Sequence, residues 1–285
     1  MSGVGLHREA GDDRLDFDAV LFDLDGVLYI GAEAVPGAVE AVAALRHQGI
    51  GTCFVTNNAA RPPAAVAAHL RDIGIHADIA DVTTSAMAGA RVLAERFPPG
   101  SSVLAVGGPG VADALQGCGL APVTSADDEP VAVMQGFGSE VGWRELVEVG
   151  LAVRRGAWWL ATNSDITIPT PRGQAPGNGS LVAAAVAAAG RQPDFVAGKP
   201  EPALLREAVH RCGAKRPLMV GDRLDTDIAG GNRLGIPTLL VLTGVTDRPT
   251  GESAAGDERP TFVAPDLSCL LGNRAWRSAV TVLGP

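Results

Sequence analysis

The chain of 285 residues is predicted to fold as an α/β protein, a doubly wound parallel sheet with a smaller α/β unit inserted into it. Two observations predict this. Strand-like and helix-like segments alternate along nearly the whole sequence, the pattern of a parallel sheet covered by helices on both faces. The polar clusters with chemical potential each stand directly after a strand-like run, where such a sheet places its ligand-binding loops.

Residues 19–22 form the first strand, a short apolar run ending at Asp23. A helix is expected over 36–48, with Val39, Val42 and Leu45 on one face and Gly49 as its stop. A strand over 50–56 follows, then a helix opened by Pro62 and Pro63 that runs to about Ile73 and halts at Gly74. Further strands are expected at 102–106, 131–135, 157–161, 194–197, 217–220 and 238–242. The intervening helices are expected at 86–96, 110–116, 143–154, 179–189, 202–212 and 225–234. Residues 85–187 carry their own βαβ pattern and form the expected inserted unit, leaving 14–84 and 188–272 as the main body. The polar stretch 246–259 reads as a surface loop, and 262–271 as a last strand and helix turn. The tail, 273–285, has no assigned role; its apolar stretch 279–283 stops so abruptly that the natural chain is expected to continue beyond Pro285.

Apolar residues make up 46% of the chain and charged residues 19%, with a mean hydropathy of +0.17. This is the composition of a globular protein with a sizeable core. The net charge is −9 and no basic stripe is present, which argues against nucleic acid as a partner. No apolar run approaches the roughly 20 residues of a membrane span, and residues 1–16 lack an apolar signal core. The four cysteines are isolated, with no C-x-x-C, as expected of free thiols in a reducing cytoplasm.

An acidic protein that handles an anion needs a local cation, and the sequence offers a place for one. Asp23-Leu24-Asp25-Gly26 leaves the first strand with two carboxylates on one side, and Gly26 permits a sharp turn. Pro217–Val220 ends in Gly221-Asp222-Arg223-Leu224-Asp225-Thr226-Asp227. Helix capping by Asp225 or Thr226 accounts for part of that second cluster, but not for Asp222. Carboxylates this close repel, so the site either raises one pKa or binds a cation; a hard divalent ion fits best, Mg²⁺ where the substrate is a phosphate. Thr56-Asn57-Asn58 ends another strand with a hydroxyl and two amides, the makings of a phosphate cradle. Lysine occurs only at Lys199 and Lys215 in a chain that otherwise uses arginine, so Lys199, after Gly198, suggests a site that needs a compact ammonium. Gly107-Gly108-Pro109-Gly110 looks like a dinucleotide-binding turn, but Asp113 stands where the third glycine belongs; a tight turn before a helix is the better reading.

Taken together, D-L-D-G, T-N-N, G-K-P-E-P and G-D-R-L-D-T-D, in this order, resemble the haloacid dehalogenase superfamily of phosphatases over 18–271. The resemblance implies a Rossmann-like catalytic core with Asp23 as nucleophile and Asp25 as general acid and then base. It implies Mg²⁺ held by Asp23, Asp222 and the backbone carbonyl of Asp25, with Asp227 supporting the metal from behind. It assigns the phosphoryl oxygens to Thr56, Asn57, Asn58 and Lys199. The inserted unit resembles the α/β cap of the subfamily acting on nitrophenyl phosphate, phosphoglycolate, glycerol 3-phosphate and pyridoxal phosphate. The cap would close over the site and exclude water. Asn163, Asp165 and Arg172 are its expected pocket residues, and the likeness allows a homodimer formed through it. A small phosphomonoester, glycerol 3-phosphate first among them, is the expected substrate, with phosphoglycolate, pyridoxal phosphate or non-catalytic phosphometabolite sensing as alternatives. The chain departs from that subfamily at Ser164, where proline is usual, and at Gly136-Phe137-Gly138, where an acidic residue is usual.

Overall fold

The computed structural model describes residues 16–170 and 172–283. The main sheet has seven strands in the spatial order Thr281–Val282, Phe262–Ala264, Thr238–Val241, Pro217–Gly221, Ala19–Phe22, Gly51–Thr56 and Val82–Thr84. All pairings are parallel except that of Thr281–Val282 with Phe262–Ala264. The chain builds outward from Ala19–Phe22 to one side, leaves the sheet, and returns on the other side at Pro217–Gly221. The reversal opens a crevice at the carboxyl ends of Ala19–Phe22, Gly51–Thr56 and Pro217–Gly221, where doubly wound sheets hold their ligands.

The inserted sheet has five parallel strands in the order Phe195–Val196, Trp158–Ala161, Ala132–Gln135, Ser102–Val106 and Ala121–Val123. Its side chains alternate. Leu104, Val133, Trp159 and Ala161 pack under the helices Trp143–Arg154 and Asn178–Ala189. Val103, Ala132, Met134 and Leu160 face the other way, into an apolar cluster shared with Leu21, Cys53, Val55 and Met219 of the main sheet. The helix Ser85–Arg96 lies between the two, contributing Ala86, Ala88, Ala90 and Leu93. Small residues on its buried faces let both sheets approach.

The structure changes several expectations. Phe195–Val196 pairs with Trp158–Ala161, so the inserted unit extends past 187, through Val196. The helix expected over 36–48 is Ala38–His47, because Gly37 takes a left-handed φ of 83° ahead of it. The supposed loop 246–259 contains the helix Arg248–Ser253, started by Asp247, whose Oδ1 accepts from the Thr250 N–H at 2.9 Å. Residues 273–283 of the tail are part of the fold: Trp276, on the helix Asn273–Ala279, sits with its ring 5.5 Å from Phe17 and 5.1 Å from Phe262. Two hairpins, Tyr29–Ile30 with Glu33–Ala34 and Thr167–Thr170 with Gly173–Pro176, have no counterpart in the sequence reading. Among the described residues no helix is long and apolar enough to cross a membrane.

Candidate active site

Four strand ends meet in the crevice. Ala19–Phe22 delivers Asp23 and Asp25, Gly51–Thr56 delivers Thr56 to Asn58, Pro217–Gly221 delivers Asp222, and Thr238–Val241 leads to Thr243 and Val245. Lys199 crosses from the inserted side. Its Nζ donates to Asp23 Oδ1 at 2.5 Å and to Asp227 Oδ1 at 2.7 Å, and the side chain is 2% exposed. Burial opposes the ammonium's charge, but Asp227 and Asp23 outweigh it and hold its pKa above the ordinary lysine value. Asp23 is pushed well above the usual carboxylate range by burial, reinforced by Asp227 and Asp222 and opposed by Lys199.

Asp222 is held from behind. Its Oδ2 accepts from the Val245 N–H at 2.8 Å, while its Oδ1 is buried without a protein partner. A Cβ on Gly244 would stand 2.0 Å from Asp222 Oδ2, and one on Gly26 2.6 Å, so only glycine admits this carboxylate at either place. Thr243 Oγ1 donates to the Gly26 carbonyl at 2.7 Å and ties this loop to the one bearing Asp25. Burial and Asp227 push Asp222 up to about 6. Carboxylate oxygens of Asp23, Asp222 and Asp227 come within 4.8 Å of one another. Asp227 is nevertheless engaged at both oxygens, by Lys199 and by the Arg223 N–H at 3.2 Å. The orphaned Asp222 oxygen beside Asp23, in an all-oxygen donor set, fits a hard divalent cation. Asp225 faces Arg223, and neither it nor Thr226 caps the helix that follows, Ala229–Leu234, which starts without a side-chain cap.

Asn57 reaches Lys199 and the insertion together. Its Oδ1 accepts from the Lys199 N–H at 2.8 Å, and its Nδ2 donates to the Lys199 carbonyl at 3.0 Å and to Asp165 at 3.2 Å. The Asn57 carbonyl accepts from Asn163 Nδ2 at 2.7 Å and Ser85 Oγ at 2.6 Å. With its amide so committed, Asn57 acts as a clamp on Lys199 more than as a side-chain phosphate donor. Thr56 Oγ1 accepts from the Asn58 N–H at 3.0 Å and keeps its own proton to donate; Asn58 Oδ1 accepts from the Ala60 N–H at 2.9 Å and shapes the turn.

Asn163 and Asp165 therefore stand beside Asn57 at the crevice. Arg172 does not: it is exposed in the turn of the hairpin Thr167–Thr170/Gly173–Pro176, its N–H donating to Thr170 Oγ1 at 3.2 Å. The arginines that act on the site's carboxylates are Arg61, beside Asp25 and Tyr29, and Arg223, beside Asp165. Burial raises Asp25 above its ordinary value, against the pull of Arg61, Lys199 and His69.

Family models match the sequence at both ends of this arrangement: a haloacid dehalogenase-like hydrolase over residues 20–121 and a second such hydrolase model over 196–270. The D-glycerol 3-phosphate phosphatase of Mycobacterium tuberculosis is 46% identical over 255 residues, 90% of this chain and 71% of that one. The chain belongs to the haloacid dehalogenase-like hydrolases. Within that family it is a phosphatase, as its relatives are. An acid sugar phosphatase of Staphylococcus saprophyticus is 39% identical, over 89% of this chain and 96% of its own length. Among solved structures, the M. tuberculosis glycerol phosphate phosphatase in complex with magnesium superposes with a TM-score of 0.84 at 46% identity, over 88% of this chain and 76% of that one. The p-nitrophenyl phosphatase of Archaeoglobus fulgidus does so at 0.81 and 31% identity, over 89% of this chain and 97% of that one.

Proposed function

We propose that this phosphatase hydrolyses a small phosphomonoester, glycerol 3-phosphate foremost, through an aspartyl-phosphate on Asp23, with Mg²⁺ as its cation. The observation that carries the reading is Lys199 Nζ shared between Asp23 and Asp227, beside an Asp222 oxygen that no protein group engages. Asp23 Oδ1 is pinned by Lys199, which aims the carboxylate while its second oxygen is left for phosphorus. Bound between Asp23 and Asp222, the cation would neutralise charge on the phosphoryl oxygens and reduce the repulsion between two anions. The Lys199 ammonium and the Thr56 hydroxyl serve the same oxygens, which is most of what phosphoryl transfer asks of a protein. Asp25, whose pKa burial raises above its ordinary value, gives a proton to the departing alkoxide and then takes one from the water that opens the acyl phosphate. The four thiols are free, which fits a reducing cytoplasm.

Substrate choice is tested by kcat/KM for glycerol 3-phosphate, phosphoglycolate, pyridoxal phosphate and p-nitrophenyl phosphate, with Mg²⁺ and with EDTA. Glycerol 3-phosphate is expected to lead and EDTA to abolish turnover. A clear preference for another ester would refute the substrate, and release of phosphate in EDTA would refute the cation.

The cation also has a stability signature. Asp222 takes up a proton near pH 6 in the fold and near 3.8 in the unfolded chain. The metal-free fold therefore loses stability as pH rises from about 4 through 6, where the carboxylates become charged. Above that window Mg²⁺ offsets their repulsion; below it protons compete. Saturating MgCl₂ is expected to raise Tm by on the order of 5 °C at pH 7.5 and by much less at pH 5. An equal rise at both pH values in a thermal melt would contradict this.

A further inference from the structure

Gly108 and Gly110 of the inserted unit are in backbone conformations that any residue adopts. Gly108 has φ −74° and ψ 176°, and Gly110 lies inside the helix Pro109–Gly117. Neither backbone therefore requires glycine, and at Gly110, inside the helix, glycine costs about 1 kcal/mol relative to alanine. What excludes a side chain is the loop that follows Thr56. A Cβ on Gly108 would stand 2.5 Å from the Ala60 carbonyl oxygen and 2.8 Å from its Cα. One on Gly110 would stand 2.5 Å from the Ala59 carbonyl oxygen and 2.8 Å from the Arg61 carbonyl carbon. The Gly110 N–H donates to the Ala60 carbonyl at 3.0 Å. The turn that looks like a nucleotide cradle is thus filled by the protein's own phosphate-binding loop.

Asn163 and Ser85 grip the Asn57 carbonyl, and Asp165 takes the Asn57 amide. The inserted unit therefore holds five consecutive residues from both ends. Any movement of it against this edge drags Asn57–Arg61 along.

We propose that the turn Gly107–Gly110 is a positioning element for phosphoryl transfer: it fixes the backbone of Ala59–Arg61, and through it the loop bearing Thr56, Asn57 and Arg61. The role rests on the phosphatase reading above. It makes the inserted unit an anchored part of the catalytic loop along this edge, in place of a lid that lifts away from it.

The test is Gly108→Ala and Gly110→Ala, with Gly117→Ala, whose Cβ meets nothing within 4 Å, as control. Relieving a 2.5 Å approach to a carbonyl oxygen needs a shift of about 1 Å, a displacement that can cost on the order of a hundredfold in rate. The two variants are expected to lose about ten- to a hundredfold in kcat/KM for p-nitrophenyl phosphate with Mg²⁺, and to raise Ki for inorganic phosphate by a similar factor. Gly117→Ala should match wild type. Variants with wild-type kcat and Ki, or with losses that only track their folded fraction, overturn the role. A wild-type chain inactive toward the ester would overturn the phosphatase reading and this role with it; an active wild type with indifferent variants overturns the role alone. Should the variants not fold, amide exchange of wild type decides. Mg²⁺ and inorganic phosphate together should slow exchange at Gly108, Gly110 and Val111 as well as at Ala60 and Arg61. Protection confined to the loop overturns the proposal.

Discussion

Replacing Asp23 by asparagine is expected to lower kcat by more than about a thousandfold while the protein stays folded and melts no lower than wild type without metal. The first half follows from chemistry: an amide oxygen cannot form the acyl phosphate, and the neighbouring Asp227 is engaged at both oxygens and cannot take its place. The second half follows from electrostatics. Asp23 sits with its pKa pushed well up by burial and by Asp227 and Asp222, so its ionised form costs the fold stability at neutral pH. Asparagine removes that charge, and Lys199 keeps Asp227 as a partner. Mg²⁺ should bind the variant more weakly and raise its Tm less than that of wild type. The checks are steady-state turnover of p-nitrophenyl phosphate and paired thermal melts at pH 7.5. More than about 1% of wild-type kcat would mean that another group takes the phosphoryl, and a large fall in metal-free Tm would mean that the Asp23–Lys199 pair is a net support of the fold.

The carboxylates were legible in the sequence because each announces itself locally: a β-branched or aromatic run, then acidic residues, then glycine or a turn. The other half of the site was not. Val245 secures Asp222 through a backbone N–H, which every residue but proline has, so its identity carries no signal. Gly244 matters only because Asp222 lies against it, a contact between residues twenty-two apart. Arg61 looks in sequence like any turn arginine before Pro62, and its nearness to Asp25 depends on the loop being pressed down by Gly108 and Gly110. Arg172 was misread for the opposite reason. It is close in sequence to Asn163 and Asp165, but the hairpin between them carries it out to solvent. The same logic holds for the fold. Periodicity finds the strand at Phe195–Val196, yet which sheet it joins is set by pairing with Trp158–Ala161, and no single-strand pattern encodes that. The tail's role hangs on Trp276 meeting two distant aromatic rings, which periodicity does not report.

Lys199 gives the other large effect, and its two substitutions separate catalysis from stability. In Lys199→Arg the charge remains, but the planar fork is wider than an ammonium and the space is closed: the side chain is 2% exposed, with Asp23 at 2.5 Å and Asp227 at 2.7 Å from Nζ. The backbone cannot withdraw to make room, because Asn57 holds both its N–H and its carbonyl. The arginine variant should therefore displace Asp23 and lose more than about a hundredfold in kcat. In Lys199→Ala, Asp23 and Asp227 lose the ammonium they share. Breaking a buried pair in this way costs about 3–5 kcal/mol, a loss that should shrink as pH falls, because protonation of Asp23, whose pKa burial already raises, removes one of the two charges left unmatched. Urea unfolding in EDTA at pH 7.5 and pH 5 should show the deficit of the alanine variant large at the first and reduced at the second. A deficit independent of pH would place the lysine's contribution in packing along its buried stem, and near-normal turnover by the arginine variant would remove the ammonium from the chemistry altogether.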